Sequence, residues 1–545
     1  MPGDYTRKIF DRKKHYSGVL MQQGRVQLDA DWNEQLDIEL YHDRTEAVDV
    51  IGPCGVPKDS DAFQISVSAG DLSISPGHIY VDGLLCELDG AASYTNQPYY
   101  IDPEFVKKVS SPPASPPNSK KLSLADGTYL VYLDAWEREI TARDDSLLGE
   151  RALGGPDTTT RLQTVWQVRL LPVSAKNASP PGSPTCDTSF PEYDTLIAAS
   201  SGMMNARTQA DPQKEPCSLP PTAGYFGLEN QLYRVEVQKG GPLSSATFKW
   251  SRENGSVETL IKNISGKAIT VHDLGRDDVL GFAGGQWVEI VDEASSLDSN
   301  PRSLFQVDFI DPQNIQVILK TAPVGLGTLT NPKLKRWDQT GSDATPEGIP
   351  MSPSRWISLE NGVEVKLLDG NYHAGDYWLI PARTQGNEIE WPPFEIPNTN
   401  PAAQLPIGVQ HHFCRLAIIQ VSKGAILDPP DDCRESFPPL THICADDVCY
   451  DNSKCGLPDT QTVQDALDRL CAERDLRRHN KYLHGWGIVC GLQVFCGPDN
   501  GGIRRHVTVK PGYAIDCDGN DINLDSDIQV DVLREAAAVS SPPLS

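Results

Sequence analysis

LSISPGHIYVDGLLCEL, residues 72–88, is written a second time near the other end of the chain as VTVKPGYAIDCDGNDINL, residues 507–524. In each copy alternating β-branched and polar residues run into a Pro-Gly, then a second short apolar run, then an Asp-Gly. The register slips by one residue between the two glycine pairs. Alternation of this kind predicts half-buried strands, and Asp-Gly predicts the positive-φ turn of a hairpin. Each copy follows a helix-like segment and a Gly/Cys elbow, IGPCGV at 51–56 and HGWGIVCGL at 484–492. A unit repeated at both ends of a long β-rich chain points to architecture rather than to a reaction centre. The fold class expected is therefore mainly β and multi-domain: sandwich or small-barrel modules, a few helices, and a duplicated helix-plus-β unit near each end.

Working outward, four divisions emerge. In residues 1–102, the hairpin-like HYSGVLMQQGRVQLDADWNEQ (15–35) leads into a helix capped near Asp29 or Asp31. Its buried face is expected to carry Trp32, Leu36, Leu40, Ala47 and Val50, and Gly52-Pro53 ends it. Strands follow at 63–68, 72–75, 78–81 and 84–88. A Pro/Ser stretch at 103–122 separates this module from residues 123–224. There YLVYLDAWERE (129–139) predicts a strong strand, with TVWQVRLLPV (164–173) as its partner and a long loose passage at 174–223. Residues 225–425 read as almost purely β, the spacing of one or two sandwiches or small barrels. In residues 426–545 a Pro/Cys-rich passage precedes a helix capped by Asp459 or Thr460, with Val463, Ala466, Leu467, Leu470 and Cys471 as its buried stripe. The elbow and the second β unit complete it, and EAAAVSSPPLS reads as a helix end running into a linker.

The 545 residues carry a formal net charge of −26, which disfavours a nucleic-acid binder or a partner for anionic membrane. The exception is the N-terminal run Arg7, Lys8, Arg12, Lys13, Lys14 and His15, which reads either as a basic arm docking on an acidic neighbour or as a solvated tail. No apolar run reaches the length of a membrane span, and MPGDYTRKIFDRKK lacks the apolar core of a secretory signal. The thirteen cysteines form no small-domain framework. They read as reduced thiols of a protein made in the cytoplasm, leaving the cell by lysis or inside a larger particle.

Catalytic signatures with strong spacing rules are missing: there is no G-x-S-x-G, Walker A loop, H-E-x-x-H or dinucleotide fingerprint. The reading is of a non-enzyme with no cofactor. THICADDVCYDNSKC offers His442, Cys444, Asp446, Asp447, Cys449 and Cys455 as weak zinc candidates. Their spacing is not the paired C-x-x-C of a structural site, so a polar loop with scattered thiols is preferred. Adjacent His411 and His412 would point to opposite faces of a strand and cannot easily share an ion. DCDGNDINLDSD (516–527) suggests calcium, but the first copy lacks these acids, and a hairpin is preferred. Trp136, Trp166, Trp250, Trp287, Trp337, Trp356, Trp378, Trp391 and Trp486 could stack on sugar rings, which keeps a carbohydrate-binding adhesin, and behind it a polysaccharide hydrolase or lyase, as rivals. Most lie inside alternating strands, where a buried ring is the default.

The phrases KHYSGVLMQQGRVQLDADWNEQ, YLVYLDAWERE, LENQLYRVEVQ, TFKWSRENGS, KRWDQ and DYWLIPAR together resemble an uncharacterised family of large bacterial proteins associated with phage-tail-like contractile injection systems. The opening is similar to the N-termini of certain phage tail and baseplate proteins. The C-terminal HGWGIVCGL…VTVKPGYAIDCDGNDI is similar to a small module of tail-associated proteins. The resemblance spans most of the chain and implies a structural subunit of the baseplate, or of a cage or fibre-like attachment around the spike. It implies a ring or trimer in a particle of sixfold symmetry, partnered by baseplate, spike or sheath proteins. The residues expected to serve assembly are the Arg7–Lys14 arm (Arg7, Lys8, Arg12, Lys13, Lys14), the Gln22–Gln35 segment with Arg25 and Trp32, and the Leu483–Leu492 elbow with Trp486.

Overall fold

A computed structural model describes residues 3–99, 122–174, 184–208, 224–326, 329–393, 401–454, 457, 460–479, 485–496 and 506–531, apart from 69, 123, 294–296, 298–301, 354, 428 and 519. The described residues form two units, 1–437 and 438–545.

In the first unit helix α1 spans Asp29–Ile51. Its start is fixed by the Leu28 N–H, which donates to Asp31 Oδ2 at 3.1 Å, and its end by Gly52 at φ 97°. Six short strands follow: β1 (Cys54–Pro57), β2 (Ile65–Ser68), β3 (Asp71–Ile74), β4 (Gly77–Val81), β5 (Leu84–Leu88) and β6 (Ala92–Ser93). Strands β1, β4 and β5 make one antiparallel sheet, and β2, β3 and β6 a second. Asp82 and Gly83, both at positive φ, turn β4 into β5. A Cβ at position 83 would lie 2.7 Å from the Arg44 Cα, so only glycine lets α1 cross this close to the hairpin.

The second unit repeats the plan. The helix Val463–His479 precedes strands Gly487–Gly491, Val494–Cys496, His506–Val509, Gly512–Ile515, Asp521–Leu524 and Ile528–Asp531. The first of these pairs with the fourth, which pairs with the fifth; the second pairs with the third, which pairs with the sixth. Gly77 faces Leu88 in one hairpin and Gly512 faces Leu524 in the other. The duplication read from the sequence is thus a duplication of topology and register.

The rest of the first unit is nested rather than consecutive. Strand β7 (Gly127–Ile140) pairs along its length with β8 (Arg161–Val173). The other neighbour of β7 is His412–Ser422, which returns after the whole central region has been inserted. These three long strands share one core with the first module: Phe63, Leu72, Ile74 and Ile79 pack with Val131, Leu133, Trp166 and Leu416. Inside the insertion, a five-stranded sheet centred on Gln231–Lys239 and a three-stranded sheet centred on Val363–Leu367 contribute to a second core. Inside that again, a closed six-stranded barrel runs from Glu258–Ser265 to Lys333–Trp337, filled by Ile269, Val271, Val288, Val307, Val317 and Leu334. Both sandwich-like and barrel elements expected for the central region are present.

Two readings are corrected. The apolar stripes of both helices were expected to be buried, and they are largely open. In α1 only Ala30 and Ile38 are buried, while Trp32 is 66% exposed and Val50 55%. In the second helix Ala466 is buried but Leu467 and Leu470 are about half exposed. Helix α1 is instead tied to the body by polar contacts such as Arg44 Nη2–Glu137 Oε1 at 2.5 Å. The second helix is capped at Thr462, whose Oγ1 accepts from the Asp465 N–H while Asp465 Oδ2 accepts from the Thr462 N–H. The thiols are not all reduced: Cys54 is bonded to Cys414 and Cys186 to Cys433. Partners 360 and 247 residues apart in sequence leave no spacing signature.

Candidate assembly surface

The chain begins strapped to its own body. The Asn254 side chain donates to the Gly3 carbonyl at 2.9 Å, the Tyr5 hydroxyl donates to Glu139, and Thr6 donates to Asp29 through both backbone and side chain. Burial pushes the Tyr5 phenol and the Glu139 carboxyl up, so the phenol holds its proton and donates. Arg7 pairs with Glu390 at 3.3 Å and Lys8 with Asp37 at 3.4 Å. The basic arm therefore divides. Arg7 and Lys8 are engaged within the chain, while Arg12, Lys13 and Lys14 form an exposed single turn with no ion pair among the described residues.

Beyond that turn the segment up to α1 is almost wholly open. Leu20 is 91% exposed, Val26 83% and Met21 57%, and Arg25 is exposed beside them. Trp32 and Leu36 extend the same apolar run onto α1. Single exposed apolar residues are ordinary, whereas six of them within residues 20–36 make this segment a candidate interaction surface.

The second unit presents a corresponding feature, visible by comparing the two copies position by position through their shared register. Val56, Ile65 and Cys86 are buried in the first copy, at 3%, 6% and 0% exposure. Their counterparts Ile488, Val494 and Ile522 are 66%, 62% and 49% exposed. Ala92, which packs on the first core, corresponds to Ile528 at 47%. Trp486 in the elbow is 74% exposed. The two copies differ in what lies over them: the first has β7, β8 and His412–Ser422, and the second has no such sheet among the described residues. Trp486 and the elbow stand out in the sequence as assembly candidates, whereas Val494, Ile522 and Ile528 do not, because their alternating pattern reads as buried.

The remaining candidates are local structure. Cys444, Asp446 and Asp447 lie close enough for their donor atoms to meet, but Cys444 and Asp446 are exposed and the half-buried Asp447 accepts from the Cys444 N–H at 2.8 Å as a turn cap. His442 and Cys449 do not join that group, and Cys455 lies outside the described residues. In the calcium-like stretch, Asp516 Oδ1 accepts from the Asp518 and Asn520 N–H groups at 2.8 Å each, the bonding of a hairpin turn. Gly519 lies outside the described residues. His411 and His412 take separate partners, Asp134 at 2.6 Å and Asp82 at 3.0 Å. Of the nine tryptophans weighed for sugar stacking, Trp136, Trp166, Trp250, Trp287, Trp337, Trp378 and Trp391 are buried, and Arg207 lies over Trp356 at 4.1 Å.

A buried charge cluster joins sandwich and barrel. Lys249 Nζ lies 2.7 Å from Glu289 and 3.3 Å from Glu236, with the Trp337 ring 4.3 Å beneath it. Arg234 Nε bonds Glu236 at 2.5 Å. Burial pushes the Glu236 carboxyl up, but Arg234, Lys249 and Lys335 outweigh it and hold it at about 2. Burial pushes the Lys335 ammonium down. The Trp337 indole N–H donates to Glu289 at 2.9 Å, closing the cluster against solvent. Matched charges of this kind fix two domains in register.

No curated protein and no solved structure matches the chain. Over residues 1–180 and 196–431, most of the first unit, it matches the family of unknown function DUF6519, and the chain belongs to that family.

Proposed function

We propose that the chain is a structural subunit of a phage-tail-like contractile injection system, in the baseplate or in a cage or fibre-like attachment around the spike. It works by assembling with copies of itself, as a ring or trimer, and with baseplate, spike or sheath proteins. The observation that carries the reading is the pair of equivalent modules at the two ends, one covered and one open across positions that its twin buries. Such a surface serves association rather than turnover. The long-phrase resemblance supplies the kind of particle, and the net charge of −26 suits a subunit kept soluble before assembly and unsuited to nucleic acid or direct membrane insertion. Such a particle, made in the cytoplasm, is kept there, anchored to a membrane through partners, or released by lysis, and the two disulfides, which persist in oxidising surroundings, favour release. The test is co-purification. An affinity-tagged chain in its native host should bring down sheath, tube or baseplate proteins of one particle, and recovery of the tagged chain without any of them would refute the assignment.

A further inference from the structure

We infer that the open face of the second unit is the seat for the N-terminal arm of another copy of this chain, so that copies join head to tail. The inference deepens the assembly reading above and rests on it.

The first copy of the module states what the face requires. There Val56, Ile65 and Cys86 are sealed under the sheet of β7, β8 and His412–Ser422. The chain holds two such modules but, among the described residues, one such sheet, and the first module occupies it. Ile488, Val494, Ile522 and Ile528 therefore call for a cover from elsewhere. An apolar cover of matching openness exists on every copy: Leu20, Met21, Val26, Leu28, Trp32 and Leu36.

Charge decides between the two ways a second copy could supply it. The edge of the second unit carries Asp518, Asp521, Asp525 and Asp527, all exposed, with Lys510 paired to Asp527 at 2.6 Å. Two such faces brought together would set these carboxylates against each other, a repulsion that costs association. The arm carries Arg12, Lys13, Lys14 and Arg25, all exposed, against the single carboxylate of Asp11, which caps the turn by accepting from the Lys13 N–H at 3.0 Å. Opposite charge and apolar surface thus coincide on the arm and on the open face. A contact between two different patches is heterologous, and it closes into a ring or runs on as a filament.

Mass photometry and light scattering of the full chain test this with two double variants at exposed positions. Leu20→Glu with Val26→Glu disables the arm, and Ile488→Glu with Val494→Glu disables the seat. Wild type should be oligomeric, each variant alone monomeric, and an equimolar mixture should give 1:1 dimers and nothing larger, because only one live arm and one live seat remain. Reversing Arg12, Lys13 and Lys14 to Glu should also give monomers, and adding Asp518→Lys, Asp521→Lys and Asp525→Lys to that chain should restore assembly. The rescue shows that the loss was not misfolding, and unchanged thermal unfolding of each variant checks the same point. If wild type is oligomeric and the variants remain so, the arm-to-seat contact is wrong while assembly stands. A monomeric wild type overturns both.

Discussion

At Glu236 the fold sets burial against three cations, and the cations prevail. The carboxyl sits at about 2, below its ordinary 4.5. A folded-state value depressed below the unfolded one gives stability that is present above pH 4.5 and lost as pH falls toward 2. The shift corresponds to about 3 kcal/mol. Glu236→Gln should therefore lower stability near pH 7 by roughly that amount, and the gap to wild type should close as pH approaches 2. Chemical denaturation of both chains across pH 2–7 measures it, and a gap that stays constant would mean that the cost is one of packing. Nothing in QLYRVEVQ or TFKWSR reveals this cluster, because alternation says which residues turn inward and not which charges meet. The tryptophans were the legible part of this scale: Trp250 and Trp287 lie inside alternating strands, and both are buried.

Strands were easier to read than helices, for a reason the elements themselves supply. The pairing of β7 with β8 follows from two long alternating runs whose registers meet at Ala135 and Trp166. An apolar helix stripe carries the same information only if its cover is in the same chain, and for Trp32, Leu36 and Leu470 it is not among the described residues. The expected burial of the stripe therefore fails, and in α1 the residues that are buried, Ala30 and Ile38, lie outside it. Disulfides are harder still, since Cys54 in β1 and Cys414 in His412–Ser422 are 360 residues apart and meet only through the packing of the strands that carry them. That bond staples β1 of the first module to its cover sheet. Closing so long a loop removes unfolded-chain entropy worth on the order of 4–5 kcal/mol. Paired Cys54→Ala and Cys414→Ala substitutions should lower the unfolding temperature in oxidising buffer, and added reductant should lower wild type further than the variant, which keeps only the Cys186–Cys433 bond. Equal unfolding temperatures for oxidised wild type and the double variant would show that the staple adds nothing.

On the scale of the molecule, order in sequence and order in space diverge. Alternating runs announced β modules in the middle of the chain, but not that the barrel lies within the sandwich or that the sandwich lies between β8 and His412–Ser422, the two strands that flank β7. Such nesting leaves no mark on local patterns, because alternation along a strand does not say which distant strand lies beside it. It does say where the first unit is complete. Cys433, which closes the bond to Cys186, and Ser436–Phe437, which pairs in parallel with β1, both fall after the family match stops at residue 431. Asp432 beside them pairs with Arg434, whose guanidinium donates to the Ala62 carbonyl at 2.6 Å. A chain ending at 437 should therefore fold and unfold cooperatively near the wild-type temperature. One ending at 431 loses the second disulfide, the parallel edge strand and the Arg434 contact together, and its stability should drop by about 4 kcal/mol or more. Thermal and denaturant unfolding of the two truncations separates these outcomes. If both unfold alike, the boundary of the unit lies before Asp432 and the last strand is an ornament on β1 rather than part of its sheet.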